Sequence, residues 1–178
     1  TTYTYKVRAI NNGGASPWSN QVTIIAGLAP VLNPANGHYY AEVSVSSGLT
    51  WWAARDAAAS LSYAGRQGHL VTITADAEQQ FLLANLPLLS TPTALSLAAG
   101  RWWIGGYQNP DPSGFTPQTA PWHWVSGEAW GYTIWASGEP NSQGTETVPE
   151  LRADQGGGWN DIPPDITNED QGYIVEFE

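Results

Sequence analysis

Residues 135–163 read WASGEPNSQGTETVPELRADQGGGWNDIP. Glu139, Pro140 and Asn141 open the chemistry of this stretch. Glu146 follows five residues after Asn141, and Asn160 and Asp161 stand behind a run of three glycines and a tryptophan. Each motif alone says little. Together they offer three carboxylates and two amide carbonyls, all oxygen donors. That inventory suits Ca²⁺, which takes about six to eight oxygen ligands in flexible geometry. It suits Zn²⁺ poorly, because His38, His69 and His123 are scattered along the chain. Pro140 fixes a bend that brings Glu139 and Asn141 to the same side, and the Glu139–Pro140 bond is the cheap place for a cis peptide.

Charge points to the same region. The chain carries 16 acidic residues against 6 Lys and Arg, a formal charge of -10 over 178 residues. Ten of the acids fall in residues 139–178, with one Arg, and the same segment holds Trp159, Ile162, Ile166, Tyr173, Ile174, Val175 and Phe177. Acids gathered among core-forming residues repel one another unless a cation sits among them. A negative field of this size, with no basic cluster, argues against nucleic acid and anionic membrane surfaces as partners. No apolar run approaches the roughly 18 residues of a membrane span. With no cysteine in the chain, thiol catalysis and thiolate zinc sites are excluded.

Upstream, HYYAEVSV (38–45) alternates as a strand does. Thr50 is a plausible N-cap for a helix over WWAARDAAASLSYAG, with Trp51, Ala54, Ala58 and Leu61 as its apolar stripe and Gly65 ending it. HLVTI (69–73) reads as a short buried strand. A second helix starts at Thr74, with Ala77, Phe81 and Ala84 at helical spacing, and Pro87 closes it. RWWIGG is a strand stopped by two glycines, WHWVSG another strand, and residues 127–158 a long irregular excursion packed by Trp130, Tyr132 and Trp135. GYIVEFE ends the chain as a strand with Tyr173, Val175 and Phe177 on one face. This order predicts an α+β domain, with two helices on a small mixed or antiparallel sheet and the N- and C-terminal strands adjacent. Trp102, Trp122, Trp124 and Trp159 are expected in the core, His123 outward, and Glu150, Asp154, Asp165, Glu169 and Asp170 as surface charges.

In order along the chain, Trp51–Trp52, HLVTI with the Glu78–Phe81 helix, WWIGG, WHWVSG, WASGEPNS, WNDIP and YIVEFE make residues 37–178 resemble a C-type lectin-like domain. The resemblance implies that Glu139, Asn141, Glu146, Asn160 and Asp161 bind one Ca²⁺ at about 2.3–2.6 Å, Asp161 also through its backbone carbonyl. It implies a cis Glu139–Pro140 bond and direct coordination of two vicinal sugar hydroxyls by the ion. Glu-Pro-Asn goes with mannose, glucose, fucose and N-acetylglucosamine types. One calcium is expected rather than three, since Gln108 stands where the family often has an Asp. The family's half-cystine positions fall at about Ala59 with Val175 and Val148 with Pro164, apolar here, so both Ala59 and Val175 are expected to be buried.

Residues 1–25 resemble the last two strands of a fibronectin type III domain, through TYTYKVRAIN and SPWSN, and residues 26–36 read as a linker. The alternative is that those strands join the main sheet. The functional expectation is a calcium-dependent glycan-binding domain of an extracellular, secreted or cell-surface adhesion protein. Absent disulfides in such a protein favour a bacterial source. The competing expectation is a domain binding surface proteins, with calcium bracing the loop. An enzyme is not expected, because the carboxylates come with no nucleophile, base and orienter set.

Overall fold

The structure is a computed structural model that describes the whole chain except residues 1, 6–7, 9, 12–13, 18–21, 26–27, 46–47, 91–99, 109–119 and 168–171. Its strands are β1 (Thr2–Tyr5), β2 (Ile10–Asn11), β3 (Gly14–Ala15), β4 (Val22–Ile25), β5 (Val31–Leu32), β6 (Tyr39–Ser44), β7 (Ser62–Tyr63), β8 (Arg66–Leu70), β9 (Arg101–Trp103), β10 (Gly106–Gln108), β11 (Trp122–Trp124), β12 (Val148–Arg152), β13 (Gly158–Ile162) and β14 (Gly172–Phe177). The helices are α1 (Trp51–Ser60), α2 (Asp76–Asn85) and the one-turn α3 (Pro87–Ser90).

The main sheet has eight strands, in the order β13-β12-β9-β14-β6-β5, with β8 pairing β14 and β7. The C-terminal strand β14 organises it. β14 runs antiparallel to β6, setting Val175 opposite Ala41 and Phe177 opposite Tyr39. On its other side it meets β9 in parallel and β8 antiparallel. The predicted adjacency of the two terminal strands therefore holds.

Side chains alternate across a strand, and β14 uses both faces. Tyr173, Val175 and Phe177 pack with Trp51, Ala54, Ala58, Leu61 and Trp103. Ile174 turns into a second cluster with Tyr40, Leu82, Trp102, Trp124, Leu151 and Trp159. α1 lies on the first face. Thr50 Oγ1 accepts the Ala53 N–H at 3.2 Å, as an N-cap does, and the Trp51 Nε1–H donates to Ile104 O at 2.9 Å. Of the expected core tryptophans, Trp102, Trp124 and Trp159 are buried and Trp122 is half-buried, while His123 is exposed as expected.

Four local readings are corrected. α1 stops at Ser60 rather than Gly65. Ser62–Tyr63 instead pairs with Arg66–Gln67 across a two-residue turn in which Ala64 (φ 51°) and Gly65 (φ 80°) are both left-handed. A left-handed glycine serves a hairpin turn as well as a helix end. α2 begins at Asp76, not Thr74, and buries Glu78, Gln79 and Leu82. Ala77 and Ala84 are exposed and Phe81 is half-buried. The stripe misleads because two buried polar residues, each with partners, occupy the inner face. The strand expected at 69–73 is Arg66–Leu70, and buried Val71 and Ile73 continue beyond it, Val71 N–H still donating to Ile174 O at 2.9 Å. Finally, β9 stops at Trp103, ahead of the Gly105–Gly106 pair as expected, but the pair does not open a loop. The chain resumes as β10, and a Cβ on Gly105 would stand 2.6 Å from Leu70 O, so close backbone packing requires the glycine.

The cysteine-position expectation is half right. Val175 is buried but Ala59 is exposed; its neighbour Ala58 is the helix residue that packs in the cluster with Val175. One residue along a helix turns a side chain by about 100°, so an offset of one suffices. Val148 is buried and Pro164 half-buried. Glu150, expected at the surface, is fully buried, whereas Asp154 is exposed beside Arg152 and Asp165 is exposed. Glu169 and Asp170 lie outside the described residues. Among the described residues β1 pairs only with β4, in a two-stranded antiparallel ladder.

Candidate functional site

The stretch from Val125 to Thr147 has no named strand, and only the last part of the excursion expected to be irregular is regular, as β12 and the start of β13. Its course is set by β13. Trp159 N–H donates to Ile134 O and Ala136 N–H donates to Trp159 O, both at 2.7 Å, so the loop is stitched to the strand just before Asn160. Trp124, Trp130, Tyr132 and Trp135 surround the Trp159 ring with centroids 5.7–5.9 Å away. The three glycines ahead of Trp159 are not a slack tether. Gly157 and Gly158 are buried, and Gln79 of α2 donates from Nε2 to Gly157 O at 2.9 Å while its Oε1 accepts the Trp159 Nε1–H at 3.2 Å.

Beyond this anchor the loop folds back over Asp161. Asp161 is buried, and its Oδ1 accepts the Asn141 N–H at 3.0 Å while its Oδ2 accepts the Ser142 N–H at 2.9 Å. Glu139 Oε2 also accepts from the Asn141 N–H, at 3.0 Å, and from Asn141 Nδ2 at 2.6 Å. Glu146 Oε2 accepts the Gln143 N–H at 2.6 Å. The Glu139–Pro140 peptide is cis. Four of the five candidate residues are thus linked directly or through one intervening backbone amide. Asn160 precedes Asp161 on β13, and its Nδ2 donates to Glu150 Oε1 at 2.9 Å, which leaves Oδ1 as the atom it can offer to an ion.

The electrostatics follow from this crowding. Burial raises the Glu139 carboxyl above its usual range, with the Asp161 charge adding to it and the Asn141 N–H opposing. Burial likewise raises Glu146, opposed by the Gln143 N–H and reinforced by the charges of Asp161 and Glu139. Among the described residues no Lys, Arg or His forms an ion pair with any of the three. The donors are all oxygen, and the cluster holds unneutralised negative charge. Such a set fits a hard cation of the calcium type.

Sequence reasoning missed a second group. His38, Glu176 and Glu178 bring one ligand atom each within 4.8 Å of one another, so a His/Glu/Glu cluster able to chelate a metal ion is present. Scatter along the chain is not scatter in space. β6 and β8 both pair with β14, and their registers bring His38 and His69 to its end. Only strand register, which the sequence does not print, could have exposed this. Buried Glu78 belongs to the same neighbourhood: Tyr40 Oη lies 2.5 Å from Glu78 Oε1 and 2.9 Å from Glu176 Oε1. Among the described residues no helix is long and apolar enough to cross a membrane.

No protein-family model matches the chain. Over 145 residues it is 33% identical to Halomucin of Haloquadratum walsbyi (strain DSM 16790 / HBSQ001), covering 80% of this chain and 1% of that protein. The chain therefore spans about a hundredth of the length of that curated relative. Among solved structures it is similar to the C-type lectin CEL-I of Cucumaria echinata, at 25% identity and a TM-score of 0.58, covering 79% of this chain and 90% of that one. An EPNH mutant of CEL-I gives 26% identity and a TM-score of 0.60, covering 79% and 89%. A calcium-independent type II antifreeze protein gives 20% identity and a TM-score of 0.59, covering 86% and 92%. The similar structures are named as lectins, antifreeze proteins and lithostathine. Two helices on a mixed sheet, with β6 beside β14 and the long loop stitched to β13, give this chain the C-type lectin-like fold.

Proposed function

We propose that the domain at residues 37–178 is a calcium-dependent carbohydrate-binding module of the mannose, glucose, fucose and N-acetylglucosamine type. Glu139, Asn141, Glu146, Asn160 and Asp161 would hold the ion. The observation that carries the reading is the convergence of Glu139, Asn141 and Glu146 on buried Asp161, with no basic residue among the described residues paired to them. When bound, calcium supplies a centre at which two vicinal sugar hydroxyls replace water. The chain's own part is to accept the hydroxyl protons on the Glu139 and Glu146 carboxylates and to donate from the Asn141 and Asn160 amides. A single such site is shallow, so useful affinity would come from repeated copies.

The surrounding protein is proposed to be an extracellular, secreted or surface-attached adhesion protein, with residues 1–25 as the end of a fibronectin type III-like domain and 26–36 as a linker. The expectation of a bacterial source draws no support from the comparisons. A second reading is a protein-interaction domain with calcium bracing the loop, since the fold by itself does not decide between the two. A glycan array with and without EDTA separates the two: EDTA-sensitive binding of mannose-type glycans is expected, and an empty array in saturating calcium would discard the sugar reading. Calorimetry tests the ion itself. Equal calcium affinity in the wild type and in Asp161→Ala would rule the site out.

A further inference from the structure

We propose that His38, His69 and Glu178 form a second metal site, for a borderline divalent cation of the zinc class, with buried Glu176 as the outer carboxylate that orients His38. The site lies at the end of β14, where β6 and β8 flank it. Two imidazoles flank the Glu178 carboxylate there, with their tautomers set by neighbours. His69 Nδ1 is 2.9 Å from Leu70 O, which can only accept, so that nitrogen carries the proton. The Nε2 of the neutral ring is then a lone-pair donor. It is buried, makes no hydrogen bond, and faces Glu178 Oε1 at 3.3 Å. A lone pair opposite a carboxylate oxygen is an unsatisfied pairing, and burial makes it costly.

His38 repeats the arrangement. Its Nδ1 lies 2.7 Å from Glu176 Oε1, and Glu176 also accepts the Thr72 N–H on Oε2 at 2.9 Å. A carboxylate used this way accepts a hydrogen bond from the His38 Nδ1–H and leaves Nε2 facing Glu178 Oε2, 4.0 Å away. Carboxylate to imidazole to metal is the usual way a histidine ligand is oriented and made more basic. Ligand atoms about 2.0–2.2 Å from a tetrahedral zinc stand about 3.3 Å apart. The His69–Glu178 separation already has that value. The His38–Glu178 separation needs to close by less than an ångström, and Glu178, 36% exposed, has the freedom to move. Two imidazole nitrogens select zinc, nickel or copper over calcium, so this site and the oxygen-only loop would take different ions.

The rival occupant is a proton, which would turn either ring into an imidazolium paired with Glu178. Zinc titration by calorimetry, on the full chain in saturating calcium, distinguishes them. One zinc per chain is expected, weakened at least about tenfold by His69→Gln and by His38→Gln and unchanged by Asp161→Asn. His69 is partly exposed, and circular dichroism of His69→Gln should be that of the wild type. Absence of zinc binding would overturn the proposal in favour of the imidazolium, as would equal zinc affinity in His69→Gln. Zinc binding lost only in Asp161→Asn would place the ion in the loop and overturn it too. None of these outcomes depends on whether the loop binds calcium or sugar.

Discussion

Asp161 holds Ser142 by a buried hydrogen bond, its Oδ2 accepting the Ser142 N–H at 2.9 Å from nineteen residues away. Ser142 is itself buried and left-handed, with φ at 52°. The other oxygen, Oδ1, takes the Asn141 N–H. One carboxylate on a core strand thus fixes two consecutive amides of the loop with or without an ion. Hydrogen bonds to a charged acceptor contribute about 1.5–3 kcal/mol each. Asp161→Ala should therefore destabilise even the calcium-free protein, by about 2–4 kcal/mol in urea denaturation. Unaltered calcium-free stability would show that the loop is not held this way.

Protons and calcium should compete at the same atoms. Burial raises Glu139 and Glu146 above their usual range. Their contribution to calcium-free stability is therefore present below the unfolded carboxylate range and lost as pH rises through the raised folded values. Calcium affinity moves the opposite way, falling on acidification from above the ordinary carboxylate range. Calcium titrations at stepped pH should show this early fall in the wild type. In Glu146→Gln the fall should be shallower, and a pH profile identical in the two proteins would contradict the assignment.

The hairpin that replaced the end of the predicted helix gives a stabilising prediction. Ala64 and Gly65 are left-handed, and Ala64 is exposed. Asn-Gly is the favoured pair for such a turn. Ala64→Asn should raise stability by about 0.5–1 kcal/mol, seen as a higher melting temperature. In a helix continuing to Gly65, the same change would be destabilising, so the sign of the shift distinguishes the two structures.

How much of this was legible in the sequence depended on whether the signal was local or relational. The stripe Trp51, Ala54, Ala58 and Leu61 is read correctly because every member is apolar and the helix has one buried face. The face of α2 is not, because Glu78 and Gln79 are buried to serve Thr74 and Gly157, partners 4 and 78 residues away. The loop site was legible because its residue types sit in two short motifs. The histidine site was not: His38 and Glu176 are separated by 138 positions and meet only through the register of β6 on β14.

Core packing in place of cross-links can be tested at one position and its control. Val175 is fully buried between α1 and β8, while Ala59 is exposed. Val175→Ala should cost about 2 kcal/mol through lost burial and a partial cavity. Ala59→Ser should stay within about 0.5 kcal/mol of the wild type. Comparable losses at both positions would restore Ala59 to the core and undo the one-residue offset.

Alkaline unfolding should begin at the tyrosines of the sheet. Burial pushes the Tyr173 hydroxyl up to about 12. Tyr40 is held far above the ordinary value, first by burial and then by the charge of Glu176. In the unfolded chain both ionise near 10. Below that pH the two states bind the same phenolic protons, and stability is fully present. Between about 10 and 12 the unfolded state loses protons that the folded state keeps, so each such group removes about 1.4 kcal/mol per pH unit. Urea midpoints should therefore fall steeply from pH 10 upward. Tyr173→Phe removes one titrating group and should flatten that slope, and the Tyr173 part of the 295 nm phenolate absorbance, wild type minus variant, should appear only as the protein unfolds. A slope unchanged by Tyr173→Phe, or phenolate signal from Tyr173 in the folded protein near pH 10, would show that this hydroxyl is open to water, contrary to its 2% exposure.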